Sequence, residues 1–158
     1  MSRELQVFWA GRHRRDEWDR LCERYRGRIS RFVKLTEVPV RVRGVAADRD
    51  RLRAEGEALL AAIPKGAWSV ALDRRGTQRS SAELARWLQR LLDDWPCPIA
   101  FLVGSDLGLD KSLLTQVRDQ LSFGPLTLPH EMARVVLYEQ IYRGLCIGAG
   151  IKYHREPL

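Results

Sequence analysis

The run Pro98–Val103 (PIAFLV) is apolar at every position, which predicts a strand that is covered on both of its faces. A second apolar stretch, Glu4–Ala10 (ELQVFWA), ends at Gly11, and a third, Trp68–Asp73 (WSVALD), is followed by a predicted turn at Gly76. Segments with helical periodicity separate these strands. This alternation is typical of an α/β domain in which helices flank a parallel sheet.

The remaining elements follow from periodicity and capping signals. Apolar residues spaced three and four apart predict a helix over Asp16–Ile29, and Ser80 with Glu83 forms a capping-box pattern before a helix that ends at Trp95. The strand predicted over Phe32–Val42 contains Pro39, which suits a strand near the edge of the sheet or the end of a strand. Two further helices are predicted over Asp48–Ile63 and from about Glu131 to Gly148.

The 158 residues predict one domain, since no linker or internal repeat divides residues 1–158. The N-terminal residues lack the apolar core of a signal peptide, and no apolar run is long enough to span a membrane, so a cytoplasmic protein is expected. Three cysteines without CxxC spacing favour reduced thiols over a disulfide framework or a zinc site.

Positive charge is in excess, with 27 Lys and Arg against 20 Asp and Glu. Arginines concentrate in Arg12-His13-Arg14-Arg15, in the segment 24–31, and in Arg41-Val42-Arg43. Such stretches suit phosphate groups, because the planar guanidinium donates paired hydrogen bonds. An arginine-rich solvated surface without a nucleic-acid partner is the alternative that composition alone leaves open.

Glycines mark three predicted strand ends, in Leu72–Gly76, Gly104–Gly108 and Gly124–Pro129. Ligands of open parallel sheets bind beyond the carboxyl ends of the strands, so these turns predict a small-ligand site. GSDLG is neither a dinucleotide fingerprint nor a P-loop, and no GxSxG elbow occurs. The histidines His13, His130 and His154 are too scattered for a metal motif, so no metal is expected.

Several blocks resemble the RlmH family, SPOUT-class methyltransferases that modify N3 of a pseudouridine in bacterial large-subunit ribosomal RNA. They are LDRRGTQRSS followed by AELARWL, FLVGSDLGL, LSFGPLTLPHEMARVVLYEQIYRG and the terminal YHR. The resemblance implies a trefoil-knotted SPOUT fold, a homodimer acting on the assembled ribosome, and S-adenosylmethionine as cofactor. The cofactor contacts that it implies are Leu72, Gly104, Ser105, Gly124, Pro125, Leu126, Thr127, Leu128 and Pro129.

The same resemblance assigns catalysis to Arg143, Tyr153, His154 and Arg155, and RNA binding to His130, Arg143 and Arg155. Tyr153 is expected to stack on the base, and an arginine to stabilise the charge that develops when N3 loses its proton. His154 is one candidate for the base that takes this proton, but the sequence does not decide which group does so.

One position departs from the family pattern, because two adjacent glycines of the family correspond to Gly104 and Ser105 here. A β-carbon at Ser105 narrows the approach to the ligand unless its φ is negative. Two alternatives to the methyltransferase follow: a non-catalytic RNA- or ribosome-binding descendant that has lost cofactor affinity, and a small-metabolite enzyme on an unrelated α/β fold.

Overall fold

A computed structural model describes residues 3–12 and 14–156, so His13 of the first basic stretch lies outside the described residues. Five parallel strands form one sheet in the order β2-β1-β4-β3-β5. They are β1 (Glu4–Ala10), β2 (Lys34–Val40), β3 (Trp68–Gln78), β4 (Ile99–Val103) and β5 (Asp119–Ser122). The predicted class, a parallel sheet flanked by helices, is confirmed.

Four helices of the described residues connect successive strands, and a fifth follows β5: α1 (Glu17–Ile29), α2 (Asp48–Ala62), α3 (Ser81–Asp94), α4 (Lys111–Leu114) and, last, α5 (His130–Gly148). The Asp16 carboxylate caps α1 by accepting from the Asp19 N–H. The capping box is confirmed, since Ser80 Oγ accepts from the Glu83 N–H while the Glu83 carboxylate accepts from the Ser80 N–H. No described helix is long and apolar enough to cross a membrane.

The sheet is covered on both faces, as its apolar strands predict. Alternate residues of β1 point in opposite directions: Leu5, Val7 and Trp9 join one buried cluster, and Phe8 and Ala10 join the other. The first cluster packs beneath α1, α3 and α5, and the second beneath α2 and α4. This layering leaves the carboxyl ends of the strands, with the turns that follow them, along one edge of the sheet.

The predicted end of β3 is wrong, because the strand continues through Gly76 to Gln78. Leu121 of β5 lies opposite both Leu72 and Thr77, so the intervening residues bulge out of the ladder before the strand resumes. A β-carbon at Gly76 would lie 2.6 Å from the Gln120 carbonyl carbon, so glycine is required for close approach to β5. The residues after Leu72 are polar and typical of a turn, so sequence analysis did not predict that the strand resumes at Thr77.

Both positions predicted as suitable for Pro39, an edge strand or the end of a strand, are found: Pro39 lies on an edge strand, one residue before its end. β2 is the outermost strand, and Pro39 pairs in register with Trp9 of β1 only, so its missing N–H removes no bond on the open side of the strand. The ordered ladder is shorter than predicted and runs from Lys34 to Val40. β1 and β2 therefore end side by side, with the Gly11 N–H donating to the Val40 carbonyl at 2.9 Å.

Candidate functional site

A cavity of about 430 Å³ opens at the carboxyl edge of the sheet, beyond β3, β4 and β5. Three segments form most of its wall: the bulge at 72–75, the turn at 105–109, and the loop that begins at Phe123. The three glycine-marked turns of the sequence therefore meet around one space. A concave site at this edge is where parallel α/β sheets bind ligands.

The structure places most of the predicted cofactor residues around this cavity. Those in its wall are Leu72, Ser105, Gly124, Leu126, Thr127 and Leu128. Gly104, Pro125 and Pro129 do not line it. Gly104 is buried behind the turn, where a β-carbon would lie 2.5 Å from the backbone carbon and oxygen of Gly108. Its lack of a β-carbon thus allows the turn to pack closely on itself.

The turn after β4 resolves the question raised by Ser105. No described non-glycine residue has a positive φ, so the β-carbon of Ser105 causes no backbone strain. Its hydroxyl donates to the Glu55 carboxylate at 2.7 Å and accepts from the Leu107 N–H at 3.2 Å. Gly108, with φ +79°, closes the turn by donating to the Ser105 carbonyl at 2.9 Å. Ser105 therefore links the turn to Glu55 of α2 and stabilises it.

The loop after β5 is fixed at its start and open beyond it. Ser122 Oγ accepts from the Gly124 N–H at 3.0 Å and donates to the Arg74 carbonyl at 2.9 Å, which joins this loop to the β3 bulge. Gly124 has φ +108°, a conformation that favours glycine. Leu126 is 76% exposed although it lines the cavity. An apolar side chain therefore stands at the rim of the site.

Sequence reasoning missed one charged pair in the cavity wall. Arg75 donates through Nε and Nη2 to the two Asp73 oxygens at 2.9 and 3.1 Å, and its backbone N–H adds a bond of 2.9 Å. These hydrogen bonds lower the pKa of Asp73 below its ordinary value. The wall thus carries an ionised carboxylate at neutral pH. The sequence signal for this pair was Asp73 followed directly by two arginines, Arg74 and Arg75.

A second group of predicted residues meets at the other end of α5, where the C-terminal tail folds back. Glu139 accepts from the Arg143 guanidinium at 3.1 Å and from the Tyr153 hydroxyl at 3.1 Å. Arg143 Nη1 lies 3.1 Å from Nδ1 of His154. Because a guanidinium only donates, Nδ1 is the acceptor and Nε2, 2.9 Å from Glu156, carries the proton of the neutral ring.

The hydroxyl of Tyr153 is a donor at neutral pH. Burial, followed by the charge of Glu139 and the hydrogen bond to it, raises the pKa of Tyr153 to about 12. The Arg143 guanidinium lies 4.8 Å from the centre of the Tyr153 ring, and Tyr142 packs edge-on at 4.7 Å. Arg155 is exposed beside this group. Sequence analysis gave Glu139 no role, although its position four residues before Arg143 is the spacing of a helical ion pair.

The structure does not bring His130 together with Arg143 and Arg155 in one chain. His130 begins α5 and pairs with Glu131 at 3.2 Å, whereas Arg143 lies about 20 Å further along the helix at about 1.5 Å per residue. The cavity, which α5 meets at Ala133, is separated from Arg143 by about 15 Å on the same count. Among residues 3–12 and 14–156, no cluster of three or more metal-ligating side chains occurs.

Comparison with known proteins gives a consistent family. A family model described as "Predicted SPOUT methyltransferase" matches residues 3–154. A protein of Nitratidesulfovibrio vulgaris (strain DP4) named ribosomal RNA large subunit methyltransferase H is 37% identical over 98% of this chain and 99% of its own length. A protein of the same name from Gluconacetobacter diazotrophicus is 43% identical over 85% of this chain and 86% of its own.

Solved structures support the fold. A probable methyltransferase from Bordetella pertussis Tohama I superposes with a TM-score of 0.57 at 16% identity, covering 91% of this chain and 96% of that one. A probable methylase family protein from Haemophilus influenzae Rd KW20 has a TM-score of 0.56 at 14% identity, covering 99% of this chain and 72% of the other.

Proposed function

Because this chain belongs to the SPOUT methyltransferase family, we propose that it methylates N3 of a pseudouridine in large-subunit ribosomal RNA, with S-adenosylmethionine as methyl donor. The observation that carries this proposal is the meeting of three turns around one cavity, in a chain similar over nearly its full length to proteins named for this class of reaction. The trefoil knot is expected with the family. The proposed place of action is the cytoplasm, on the ribosome.

The cavity has the properties that the cofactor requires. Its volume of about 430 Å³ lies in the range of small-molecule sites. Leu72, Leu107 and Phe123 offer apolar surface for the adenine, and Thr127 offers a hydroxyl. The ionised Asp73 of its wall is held by Arg75 and so keeps a fixed orientation in the cavity. When bound, S-adenosylmethionine supplies an electrophilic methyl group on its sulfonium.

The tail supplies the groups that prepare the nucleotide. N3 must lose its proton, and the negative charge that results spreads to the neighbouring carbonyl oxygens, where the Arg143 guanidinium donates. Glu139 holds Arg143 in place for this contact. When Arg143 turns to the base, Nδ1 of His154 is released and accepts the N3 proton, directly or through water. Tyr153 keeps its proton and donates a hydrogen bond to Glu139. Arg155 binds the phosphate next to the modified nucleotide.

We propose a homodimer, and the separation of cavity and tail supports it. About 15 Å of helix lies between them, so one chain does not place both against the same nucleotide. We infer that the tail of one copy completes the cavity of the other. Exposed Leu126 at the cavity rim and Met132 on the first turns of α5 provide apolar surface for this contact.

The experiment for the activity uses ribosomes from cells that lack this protein. Incubation with the purified protein and labelled S-adenosylmethionine should add one methyl group to large-subunit RNA, which mass mapping places on a pseudouridine. Tyr153→Phe and Arg155→Gln should lower turnover strongly while calorimetry shows unchanged cofactor affinity. Normal turnover of both variants would show that the tail has no part in the mechanism. Ribosomes that stay unmethylated would refute the proposed activity.

The experiment for the dimer mixes two inactive variants, Arg143→Gln in the tail and Thr127→Trp in the cavity wall. If the tail acts on the partner's cavity, mixed dimers regain one intact site in two, and activity recovers to about a quarter of the wild-type value. If each chain is self-sufficient, the mixture stays inactive, and the proposed completion of one copy by the other is wrong.

The alternative of a non-catalytic RNA-binding protein rested on loss of cofactor affinity through Ser105. The absence of a positive φ at Ser105 and its hydrogen bond to Glu55 favour retained cofactor affinity. Calorimetry with S-adenosylmethionine tests it directly, because a descendant that has lost the cofactor would release no heat of binding.

A further inference from the structure

Two of the basic stretches in the sequence converge at the carboxyl edge of the sheet. One follows β1 and the other follows β2, and these strands are parallel neighbours that end in register at Ala10 and Val40. Residues 11, 12 and 14 therefore leave the sheet beside residues 41–44. They form one wall of a cleft of about 510 Å³, which α2 and the start of α5 close on other sides. We call this space the arginine cleft.

The charge of the arginine cleft is positive even after its acidic residues are counted. Its lining includes six arginines and four carboxylates: Arg12, Arg14, Arg41, Arg43, Arg51 and Arg134, with Asp16, Glu55, Asp106 and Glu131. Neighbouring positive charges act on one another, since Arg43 is the main cause that lowers the pKa of Arg41. Exposed guanidinium groups held this close favour a polyanion.

The carboxylates of the cleft already have partners within the protein. Asp106 accepts from Arg51 at 2.9 Å, and Glu55 accepts from Ser105 at 2.7 Å. Asp16 caps α1. Of the cations, Arg51 is thus compensated, whereas Arg41 and Arg43 are exposed and have no acidic partner among residues 3–12 and 14–156.

Arg134 gives the cleft a fixed charge at its base. This residue is only 7% exposed, and its guanidinium lies 4.1 Å from the centre of the Trp9 ring. Its Nε is buried and has no hydrogen-bond partner among the described residues. Burial of an incompletely bonded guanidinium is costly, and an anion in the cleft would offset that cost. The first turn of α5, which has no side-chain cap at Pro129, adds its N-terminal partial charge on the same side.

We propose that the arginine cleft binds a phosphodiester segment of the RNA substrate next to the nucleotide that is modified. The proposal rests on the proposed function for the identity of the RNA, and on the cleft itself for the contact. Ser105 and Asp106 line both this cleft and the cofactor cavity, so a strand held here passes the mouth of that cavity. Phosphate contacts of this kind position the nucleic acid and do not read its sequence.

The test removes two charges from the cleft with the surface variant Arg41→Gln/Arg43→Gln. Its matched control, Arg86→Gln/Arg90→Gln, removes two exposed charges from α3, outside the cleft lining. Association with fluorescently labelled single-stranded RNA is measured by anisotropy between about 50 and 200 mM salt, since each phosphate contact contributes about 0.7 to 0.9 to the slope of log K against log salt. Cofactor affinity is measured by calorimetry, and ribosome methylation by KM and kcat.

We expect the cleft variant to reduce the salt slope by about 1.5 and to raise KM for ribosomes, with cofactor affinity and kcat unchanged. The control should keep the wild-type slope. Equal slopes for the cleft variant and the wild type, an equal loss in the control, or equally tight binding of polyglutamate would overturn the proposal. If the wild type binds RNA through the cleft but leaves ribosomes unmethylated, the cleft stands and the proposed function fails.

Discussion

Replacement of Gly104 by alanine tests the packing of the turn that separates cavity from core. The new β-carbon would lie 2.5 Å from the Gly108 backbone, whereas ordinary contacts begin at 3.4 Å, so the turn must move by about 0.9 Å. Forced overpacking costs about 1–3 kcal/mol, and the strained bond from the Gly108 N–H to the Ser105 carbonyl adds about 1 kcal/mol. We expect Gly104→Ala to lower the free energy of unfolding by about 3 kcal/mol and cofactor affinity at least about tenfold.

Urea denaturation measures the first effect and calorimetry with S-adenosylmethionine the second. Gly27→Ala is the matched control, because Gly27 lies exposed in α1 and a β-carbon there meets nothing within 4 Å. It should raise the free energy of unfolding by about 1 kcal/mol through helix propensity. If Gly104→Ala stays within about 0.5 kcal/mol of the wild type, as harmless surface substitutions do, the close approach of the two backbone segments is refuted.

Three further outcomes are expected. Tyr138→Phe removes a fully buried donor to Glu37 at 2.6 Å and should cost about 2 kcal/mol in urea denaturation; a cost below about 0.5 kcal/mol would contradict the bond. Arg75 lowers the pKa of Asp73, so the stability that Asp73 adds over Asp73→Asn is present above about pH 4 and is lost as the pH falls through the folded-state pKa; a constant difference from neutral to acid pH would count against the pair. The pKa of Tyr153 is raised to about 12, so unfolded chains ionise this phenol from about pH 10 while folded chains keep its proton, and stability falls across that interval; Tyr153→Phe should fall less steeply, as circular dichroism would show.

Sequence analysis located most of the fold because its strands and caps are local signals. The apolar runs predict β1 and β4 within one residue, and the Ser80 and Glu83 pattern fixes the start of α3. Spacing alone did not reveal that β3 resumes after its bulge at Leu72, since the pairing of Thr77 with Leu121 is a long-range contact. Polar residues within a strand remain indistinguishable from a turn until the partner strand is known.

The candidate site was predicted unevenly for a similar reason. Glycines at the strand ends indicate where a ligand binds, because the turns that follow parallel strands all lie at the carboxyl edge of the sheet. The roles of Glu139, which holds the tail, and of Arg134, which lies on Trp9, depend on which surfaces meet in three dimensions. Assignment of His130 to the same group as Arg143 came from family resemblance, and the length of α5 separates them within one chain.

The short turn after β4 has a consequence for how this protein can vary. Ser105 and Asp106 form a partition between two compartments, one lined by apolar and charged side chains together and one rich in arginine. A substitution at Ser105 or Asp106 changes the lining of both compartments at once. Neither ligand affinity can therefore be altered there without affecting the other. Diversity among relatives, and any engineered change of donor or target, should accumulate on the outer walls, where a side chain serves only one of the two.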